Sequence, residues 1–401
     1  MNFDFDREID RNGTASVKHD GRAAYFGTAD VLPMWVADMD FAAPEAVTRA
    51  LAQRAAHPVY GYTFYPDGLY EAFIAWLGKR HGWQVERDWI LMAPGVVPSL
   101  HAAVLAFAAP GEAVVVQPPV YFPFFSAVTD TGRKLALNPL RLENGRYRID
   151  FAHLERCAAD GARLLLLCSP HNPVGRVWSP DELHEILRIT RRHDMTVLSD
   201  EIHADLVYPG ERHTALATLA EPGDRLVTAF APSKTFNIPG LGLSCLVASD
   251  PAQRAALRKV FATLALGHAN PFSIAAFEAA YREGEAWLDA LLVYLRGNRD
   301  FVAASLAEHL PGIRLIQPEG TCLLWLDCRG LGMNDAELQQ FLVAKARVGM
   351  NPGTAFGAGG SGFMRLNAGA PKRVVAEALE RIRTAFEATG SICHREVTGL
   401  M

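Results

Sequence analysis

The sequence lacks a hydrophobic run long enough to cross a bilayer. Its apolar stretches, such as RLLLLCSP and EAVVVQPP, break after a few residues, which is the length of a strand. Residues 1–18, MNFDFDREIDRNGTASVK, are acidic and polar, whereas a secretory signal needs a basic patch followed by an apolar core. We therefore expect a cytoplasmic protein that makes no contact with a membrane.

A strong charge of either sign is also missing. The 39 lysines and arginines and the 44 aspartates and glutamates leave a formal net charge of −5, without a long run of one sign. This balance does not favour nucleic acid or an anionic surface as a partner. The six cysteines form no CxxC pair and no even framework, and they predict reduced, buried thiols rather than a zinc site or disulfides. These are Cys157, Cys168, Cys245, Cys322, Cys328 and Cys393.

The sequence does contain a large apolar fraction, 50% of 401 residues, which favours two or three domains over one. Between about 90 and 250, short apolar runs alternate with amphipathic helical stretches, the pattern of a parallel sheet covered by helices. One helix is predicted to begin at Ser179, because a serine cap, a proline and two acids precede an apolar stripe. The predicted strands are 112–117, 162–168, 196–199, 225–230 and 243–248.

A second, smaller domain is predicted towards the end of the chain. From 273 to about 310 the pattern is helical for longer than one ordinary helix, and strand candidates follow at 321–327 and 362–366 before a last helix at 374–388. We predict an N-terminal segment, 1–45, that joins the small domain, a large domain, 46–285, and a small domain, 286–390. Residues 391–401 are predicted to be a loose tail.

Polar side chains follow four successive strand candidates of the predicted sheet. Tyr121 follows the first, Asn172 the second, Asp200 and His203 the third, and Lys234 the fourth. Ligands of open parallel sheets bind beyond the carboxyl ends of the strands, where these side chains are expected to meet. Each residue alone has an ordinary explanation, such as an exposed lysine or a capping acid. Their combination at successive strand ends indicates a binding site.

At this point a resemblance to a known family becomes specific. Eight segments, in order and spanning about 30 to 375, resemble the aminotransferase superfamily of pyridoxal 5′-phosphate (PLP) enzymes, and within it the MalY/PatB branch of cystathionine β-lyase-type carbon–sulfur lyases. They are PMWVADMDF (33–41), GYTFYPDG (61–68), APGVVPSL (93–100), PPVYFPF (118–124), SPHNPVGRVW (169–178), SDEIHADL (199–206), APSKTFNIPGLGLS (231–244) and GFMRLNAGAP (362–371). The resemblance implies the α/β architecture called fold type I: a large domain with a mostly parallel sheet flanked by helices, and a smaller α+β domain.

The resemblance also implies roles around the PLP ring. Lys234 would hold the cofactor as a Schiff base, and its released amine would remove the α-proton of the substrate. Asp200 would face the pyridine nitrogen and keep it protonated, Asn172 would donate to the phenolate oxygen, and Tyr121 would lie over the ring. His203 would contact the ring much as Asn172 does, and a histidine on a helix surface is the alternative.

For the phosphate, the resemblance points to Gly95, Val96 and Val97, where N–H groups at a helix start can bind an anion. Ser233 would add a hydroxyl group. Relatives often carry a basic residue where this sequence has Gly242, so that backbone and hydroxyl groups, or another cation, are expected to replace it.

For the substrate, the resemblance implies that Arg365 binds the α-carboxylate through two parallel hydrogen bonds and that the backbone near Ala37 holds its other oxygen. Tyr62 would reach the phosphate of the partner subunit, which implies a homodimer. Two alternatives stay open: a surface arginine at 365, and an aromatic cluster at 60–65 that serves only as core or interface.

The shared residues do not decide the reaction. The branch resemblance favours β-elimination from L-cystathionine or related S-substituted L-cysteines, which yields a thiol, pyruvate and ammonia. An aminotransferase that moves an amino group between an L-amino acid and a 2-keto acid is the second reading. A PLP-binding regulatory protein is the third, and the sequence offers no helix-turn-helix module in its favour.

Overall fold

The computed structural model describes residues 3–267 and 270–388, so the predicted tail at 391–401 lies outside the described residues. No helix in these two ranges has both the length and the apolar character needed to span a membrane. The α-helices are α1 (Arg22–Phe26), α2 (Glu45–Ala56), α3 (Asp67–His81), α4 (Val96–Phe107), α5 (Pro123–Thr129), α6 (Phe151–Ala159), α7 (Pro180–Arg192), α8 (Pro232–Thr235), α9 (Pro251–Thr263), α10 (Pro271–Glu283), α11 (Glu285–His309), α12 (Asp335–Gln340) and α13 (Lys372–Ala388).

A seven-stranded sheet carries most of the predicted strands. Its members are β1 (Ile90–Ala93), β2 (Ala113–Val116), β3 (Lys134–Leu137), β4 (Leu164–Cys168), β5 (Thr196–Asp200), β6 (Arg225–Phe230) and β7 (Ser244–Val247). They lie side by side in the order β1-β7-β6-β5-β4-β2-β3. The pairs from β6 to β3 are parallel, whereas β7 runs antiparallel to both of its neighbours. The predicted mostly parallel sheet is therefore present.

Three features of this sheet were not predicted. The strand expected at 243–248 is antiparallel, because the connection from β6 contains only α8 and a three-residue 3-10 helix at Pro239–Leu241, and neither is long enough to return the chain to the other end of the sheet. Strands β1 and β3 were missed, because neither ILMA nor KLAL contains the run of β-branched residues that marks β2, AVVV, although all three have four residues.

Helices cover both faces of the sheet, which explains the continuous apolar runs of its central strands. Leu164 and Leu166 pack with residues of α4, α5 and α9, while Leu165 and Leu167 pack with residues of α6 and α7. Successive side chains of a strand point to opposite faces, so both faces of β4 are buried. The predicted start of α7 is confirmed, because Ser179 and Glu182 form a capping box there.

A four-stranded antiparallel sheet forms a second core. It consists of β8 (Arg314–Leu315), β9 (Leu323–Asp327), β10 (Asn351–Pro352) and β11 (Phe363–Asn367), in the order β8-β9-β11-β10. Side chains of α11 and α13 pack against it. The predicted strands at 321–327 and 362–366 and the last helix are thus present, and the long helical stretch is divided by Gly284 into α10 and α11. The domain boundaries at 45, 285 and 390 stay predictions.

The N-terminal segment crosses between the two sheets. Residues Leu32–Pro33 pair in parallel with Val348–Gly349, and the backbone N–H of Asn367 on β11 donates to the carbonyl of Met34 at 3.0 Å. Further along, Arg365 of β11 donates to the carbonyl of Trp35 at 3.0 Å. The residues that follow Trp35 therefore lie close to the carboxyl edge of the large sheet.

Candidate functional site

Lys234 lies on the single turn of α8, directly after the carboxyl end of β6. Its amine donates to the carbonyl oxygen of Ala37 at 3.3 Å. Burial lowers the pKa of this amine from its usual value. A larger fraction of the amine is therefore neutral than on an exposed lysine, and the neutral form is the one that attacks a carbonyl carbon.

Asp200 ends β5, the neighbouring strand. The register aligns Asp200 with Cys168 of β4 on one side and with Ala229 of β6 on the other. The carboxyl group is 4% exposed and accepts the N–H of Ile202 at 3.1 Å. Burial raises its pKa to about 7, although the charge of Lys234 acts in the opposite direction. A buried acid with this pKa gains stability from a cationic partner.

Asn172 and Arg365 are joined although they come from the two different sheets. Nη1 of Arg365 donates to Oδ1 of Asn172 at 3.0 Å. A guanidinium group only donates, so the amide oxygen of Asn172 must face it, and the amide N–H pair occupies the other end. Nη2 of Arg365 donates to the carbonyl of Trp35 at 3.0 Å and to Oδ1 of Asn351 at 2.8 Å. Arg365 is 3% exposed, which rules out the surface alternative.

These groups border one cavity of about 300 Å³ at the carboxyl edge of the large sheet. Most of the predicted site residues line it: Ala37, Gly95, Val96, Val97, Tyr121, Asn172, Asp200, His203, Ser233 and Lys234. Arg365 adjoins it through Asn172. Tyr62 does not line it, and its side chain is fully exposed. Tyr60 and Phe64 of the aromatic segment at 60–65 are exposed as well, whereas Tyr65 is partly buried against the core.

His203 faces the cavity as a neutral side chain. It is 4% exposed, so the alternative of a surface histidine is wrong. Burial lowers its pKa to about 3. Among the described residues its Nδ1 atom has no hydrogen-bond partner, and the same holds for Nε of Arg365. Buried polar atoms without partners are rare in folded proteins, and beside a cavity they are available to bind a ligand.

One end of the cavity is formed by the first turn of α4. Val96 and Val97 present backbone N–H groups there, and Gly95 precedes them as the cap. Gly242 also lines the cavity in a left-handed conformation, with φ of 41°, and an added Cβ would lie 3.3 Å from the carbonyl oxygen of Pro94. Lys234 is the one cationic side chain among the described residues that line the cavity.

Sequence reasoning missed the residues that orient Arg365. Asn351 accepts from its guanidinium group, Trp35 supplies a carbonyl, and Phe356 lies beneath it with 4.8 Å between ring centroid and Cζ. Asn351 is a polar residue inside the apolar stretch VGMNPG, which is the one local signal that sets it apart. The position of a backbone carbonyl or of a packed ring cannot be recognised from a local sequence pattern.

Asp205 is a buried acid that supports α8, the helix that carries Lys234. Oδ1 of Asp205 accepts from Nε1 of Trp76 at 3.0 Å and from Nε2 of His81 at 2.9 Å, and Oδ2 accepts from Thr235, the neighbour of Lys234, at 3.0 Å. Asp205 is 5% exposed. The carboxylate thus ties α3 to α8.

We expect Asp205→Ala to destabilise the protein by about 3–5 kcal/mol, because it leaves three buried donors without an acceptor. Urea denaturation would measure the change in the free energy of unfolding. Asp289→Ala is the matched control: this residue pairs with Arg80 at 2.7 Å but is about half exposed, and its loss should cost less than about 1 kcal/mol. Equal effects of the two substitutions would contradict the assigned support role.

Comparison with known proteins places this arrangement in a family. The family model for aminotransferase class I and II matches residues 29–382. The chain is 45% identical to cystathionine beta-lyase PatB of Bacillus subtilis (strain 168) over 386 residues, which cover 96% of this chain and 100% of the relative. It is 33% identical to protein MalY of Escherichia coli (strain K12) over 389 residues, which cover 96% and 99%.

Solved structures share the fold. A PLP-bound putative aminotransferase from Clostridium difficile 630 superposes with a TM-score of 0.94 at 39% identity, covering 96% of this chain and 100% of that one. Cystalysin from Treponema denticola, which contains a pyridoxal 5′-phosphate cofactor, also superposes with a TM-score of 0.94, at 36% identity and with coverage of 97% and 100%. The predicted fold type I is confirmed. This chain belongs to the aminotransferase class I and II family.

Proposed function

We propose that this protein is a PLP-dependent carbon–sulfur β-lyase that acts on L-cystathionine or related S-substituted L-cysteines. The observation that carries the proposal is the 45% identity, over 96% of the chain, to a protein named cystathionine beta-lyase. A buried amine, a buried acid and an arginine at one cavity provide the chemistry that such a reaction requires.

The polar atoms around the cavity fit pyridoxal phosphate. Asp200 is a buried acid that would gain from a protonated ring nitrogen, and His203 has an Nδ1 atom without a partner. The N–H groups at the start of α4 and the hydroxyl of Ser233 can donate hydrogen bonds to a phosphate. They would take the place of the basic side chain that relatives often carry at the position of Gly242. Bound PLP supplies an aldehyde that captures the amino group of the substrate and a ring that accepts the electrons of its Cα–H bond.

The chain's own residues would divide the remaining work. Asp200 would hold a proton at the ring nitrogen, Asn172 would donate its amide N–H to the phenolate oxygen, and Tyr121 would pack against the ring. Arg365 would bind the α-carboxylate with the atoms that its other partners leave available, Nε among them. Lys234 would anchor the cofactor and, once released by the substrate amine, would take the α-proton. The net reaction would convert the substrate and one water molecule into a thiol, pyruvate and ammonia.

Product analysis tests the proposal. Purified protein loaded with PLP is mixed with L-cystathionine, and pyruvate and free thiol are measured with and without an added 2-keto acid. We expect both products without the keto acid. Activity that requires a keto acid would instead make the protein an aminotransferase, and an absence of turnover in either assay would favour a regulatory role.

We also propose a homodimer in which each protomer contributes Tyr62 to the phosphate end of its partner's site. The support is the exposure of a contiguous apolar segment, in which Val59 is 63%, Tyr62 100% and Phe64 82% exposed. Exposed apolar groups of this extent are typical of protein interfaces.

A reduced, cytoplasmic setting is part of the proposal, in keeping with the free thiols of the five described cysteines.

Mixing two inactive variants tests the shared site. Lys234→Ala lacks the anchoring amine, and Tyr62→Ala lacks the side chain offered to the partner, so one site of each hybrid dimer is complete. After unfolding and refolding an equal mixture, we expect about a quarter of the wild-type activity per site, since half of the dimers are hybrids. Activity no higher than the sum of the separate variants would contradict a tyrosine shared across the interface. Lys234→Ala mixed with Asp200→Ala is the control, because both residues line the cavity of the same protomer and no hybrid dimer would then contain a complete site.

A further inference from the structure

Residues 36–41, VADMDF, form a short segment without regular secondary structure between Lys234 and Arg365, here called the strap. The carbonyl of Ala37 in the strap accepts from Lys234 at 3.3 Å, and the carbonyl of Trp35, which precedes the strap, accepts from Arg365 at 3.0 Å. Ala37 also lines the cavity. The position of this backbone therefore affects both the amine of Lys234 and the guanidinium group of Arg365, as well as the wall of the cavity between them.

One asparagine holds the strap from the lysine side. Asn237 lies three residues after Lys234, and its Oδ1 accepts the N–H of Met39 at 2.8 Å. Its Nδ2 donates to the carbonyl of Met39 at 2.9 Å and to that of Phe41 at 2.8 Å. The backbone of Asn237 is left-handed, with φ of 55°, a region that asparagine tolerates better than most residues.

A second asparagine holds the strap from the arginine side. Asn367 lies two residues after Arg365 on β11 and is completely buried. Its Nδ2 donates to the carbonyl of Val36 at 2.6 Å and to that of Asp38 at 2.8 Å, while its Oδ1 accepts the N–H of Gly369 at 2.8 Å. The first carbonyl belongs to the Val36–Ala37 peptide and the second to the Asp38–Met39 peptide, so this one side chain fixes the peptide that carries the N–H of Ala37 and the peptide after Asp38.

The peptide planes decide where the N–H of Ala37 points. In a trans peptide the carbonyl and the N–H point in opposite directions. Since Asn367 binds the carbonyl of Val36, the N–H of Ala37 in the same peptide points away from Asn367. Among the described residues no hydrogen bond uses that N–H group. It is thus available to an acceptor on the cavity side.

Hydrogen bonds, rather than packing alone, hold the strap in this position. A second cavity, of about 360 Å³, borders it through Asp38–Ala42 and Asn237–Gly240. On that flank Arg11 binds the carboxylates of Asp38 at 2.5 Å and Asp40 at 2.7 Å, and the fully buried Lys18 binds Asp40 at 2.7 Å. These ion pairs balance the charges of the strap, and Arg11 and Lys18 also donate to the carbonyls of Met39 at 3.4 Å and Asp38 at 3.2 Å. Among the described residues, however, Asn367 alone donates to the carbonyl of Val36, so the peptide that carries the N–H of Ala37 depends on it.

We propose that Asn367 and Asn237 are positioning residues that hold the strap so that the N–H of Ala37 meets the substrate α-carboxylate opposite Arg365. The inference rests on the proposed function, because it assumes an α-amino acid as substrate. Neither asparagine touches the substrate. Their effect is transmitted through the peptide planes of the strap, and it makes the site selective for amines that carry a carboxylate.

Two ligands that do not undergo elimination can distinguish a loss of carboxylate binding from a general disruption of the site. L-Norleucine resembles S-ethyl-L-cysteine but has no leaving group, and pentylamine is the same molecule without the carboxylate. Binding of each to the PLP-loaded protein is measured by absorbance titration. For Asn367→Leu we expect the dissociation constant of L-norleucine to rise roughly tenfold to a hundredfold, because a small displacement of a binding group has effects of this size. That of pentylamine should stay within about twofold of wild type.

Kinetics supply the second readout. With S-ethyl-L-cysteine, the KM of Asn367→Leu should rise by the same factor as the norleucine constant, while kcat changes less. Asn237→Leu should act in the same direction, and Asn367→Ser is a milder variant if the leucine substitution prevents folding. Equal weakening of both ligands, or unchanged binding of both, in the variants that fold would overturn the proposal.

Asn298 offers a matched control. It is 1% exposed, and its Nδ2 donates to the carbonyls of Ala368 and Ala370 at 2.9 and 2.8 Å, just beyond Asn367. Asn298→Leu removes the same kind of contact without touching the strap, and the ratio of the two dissociation constants should stay at the wild-type value. If the wild-type protein produced no pyruvate from L-cystathionine, the proposed lyase function would fail. The ratio of the dissociation constants of L-norleucine and pentylamine would still test the role of the strap.

Discussion

Replacing Lys234 by alanine is expected to abolish lyase activity by more than about 10³-fold, the largest effect of any single substitution in this protein. The substitution removes the only cationic side chain among the described residues that line the cavity, and with it both the covalent anchor and the proposed base. The protein should stay folded, since a buried amine with a lowered pKa gives the native state no advantage that alanine lacks.

Three measurements check this expectation. Turnover of L-cystathionine reports activity, the near-visible absorbance of lysine-bound PLP reports the covalent link, and circular dichroism reports the fold. Borohydride treatment of wild type should fix the cofactor on the peptide that contains Lys234, as detected by mass spectrometry. Lys372→Ala is the control, because Lys372 is exposed and rests on the ring of Phe301. Cofactor fixed on another lysine in wild type would contradict the assignment.

Replacing Asp200 by alanine is expected to slow the loss of the α-proton by orders of magnitude while part of the cofactor stays bound. In the proposed mechanism the carboxylate would face the ring nitrogen and stabilise the charge that develops when Cα loses its proton, and electrostatic effects of this kind are among the largest in catalysis. Exchange of the α-proton of L-norleucine with deuterium, followed by NMR, isolates this step from thiolate departure. Asp150→Ala, which removes the cap of α6 and an ion pair with Arg141, should exchange at the wild-type rate.

The same residue gives a pH signature in the cofactor-free protein. The pKa of Asp200 is raised to about 7 from 3.8, so between these values the folded chain binds more protons than the unfolded chain does. Its contribution to stability therefore falls as the pH rises from about 4 through about 7. Asp200→Asn should remove this part of the slope in urea denaturation. A wild-type exchange rate in Asp200→Ala, or an unchanged slope in Asp200→Asn, would contradict a buried acid at the ring.

Some corrections show which interactions the sequence does not encode locally. The length of the connection after β6, rather than its apolar pattern, made β7 antiparallel. The burial of His203 was open from the sequence, because a histidine just beyond a strand end has no pattern of its own. The strap was recognised as a motif, but its fixation by Asn237 and Asn367 joins residues 198 and 331 positions apart.

The sequence by itself determined the parallel strands β2, β4, β5 and β6 and most of the residues that line the candidate site. Parallel strands buried on both faces need continuous apolar runs, and the residues that follow them must meet at one edge, so Asn172, Asp200 and Lys234 were predictable from their order alone. Only the tertiary structure decided how these groups are tuned and aligned. Burial sets the pKa of Asp200 and Lys234, and hydrogen bonds from distant loops set the plane of each peptide in the strap. Both depend on contacts between residues far apart in the chain, which no local pattern records.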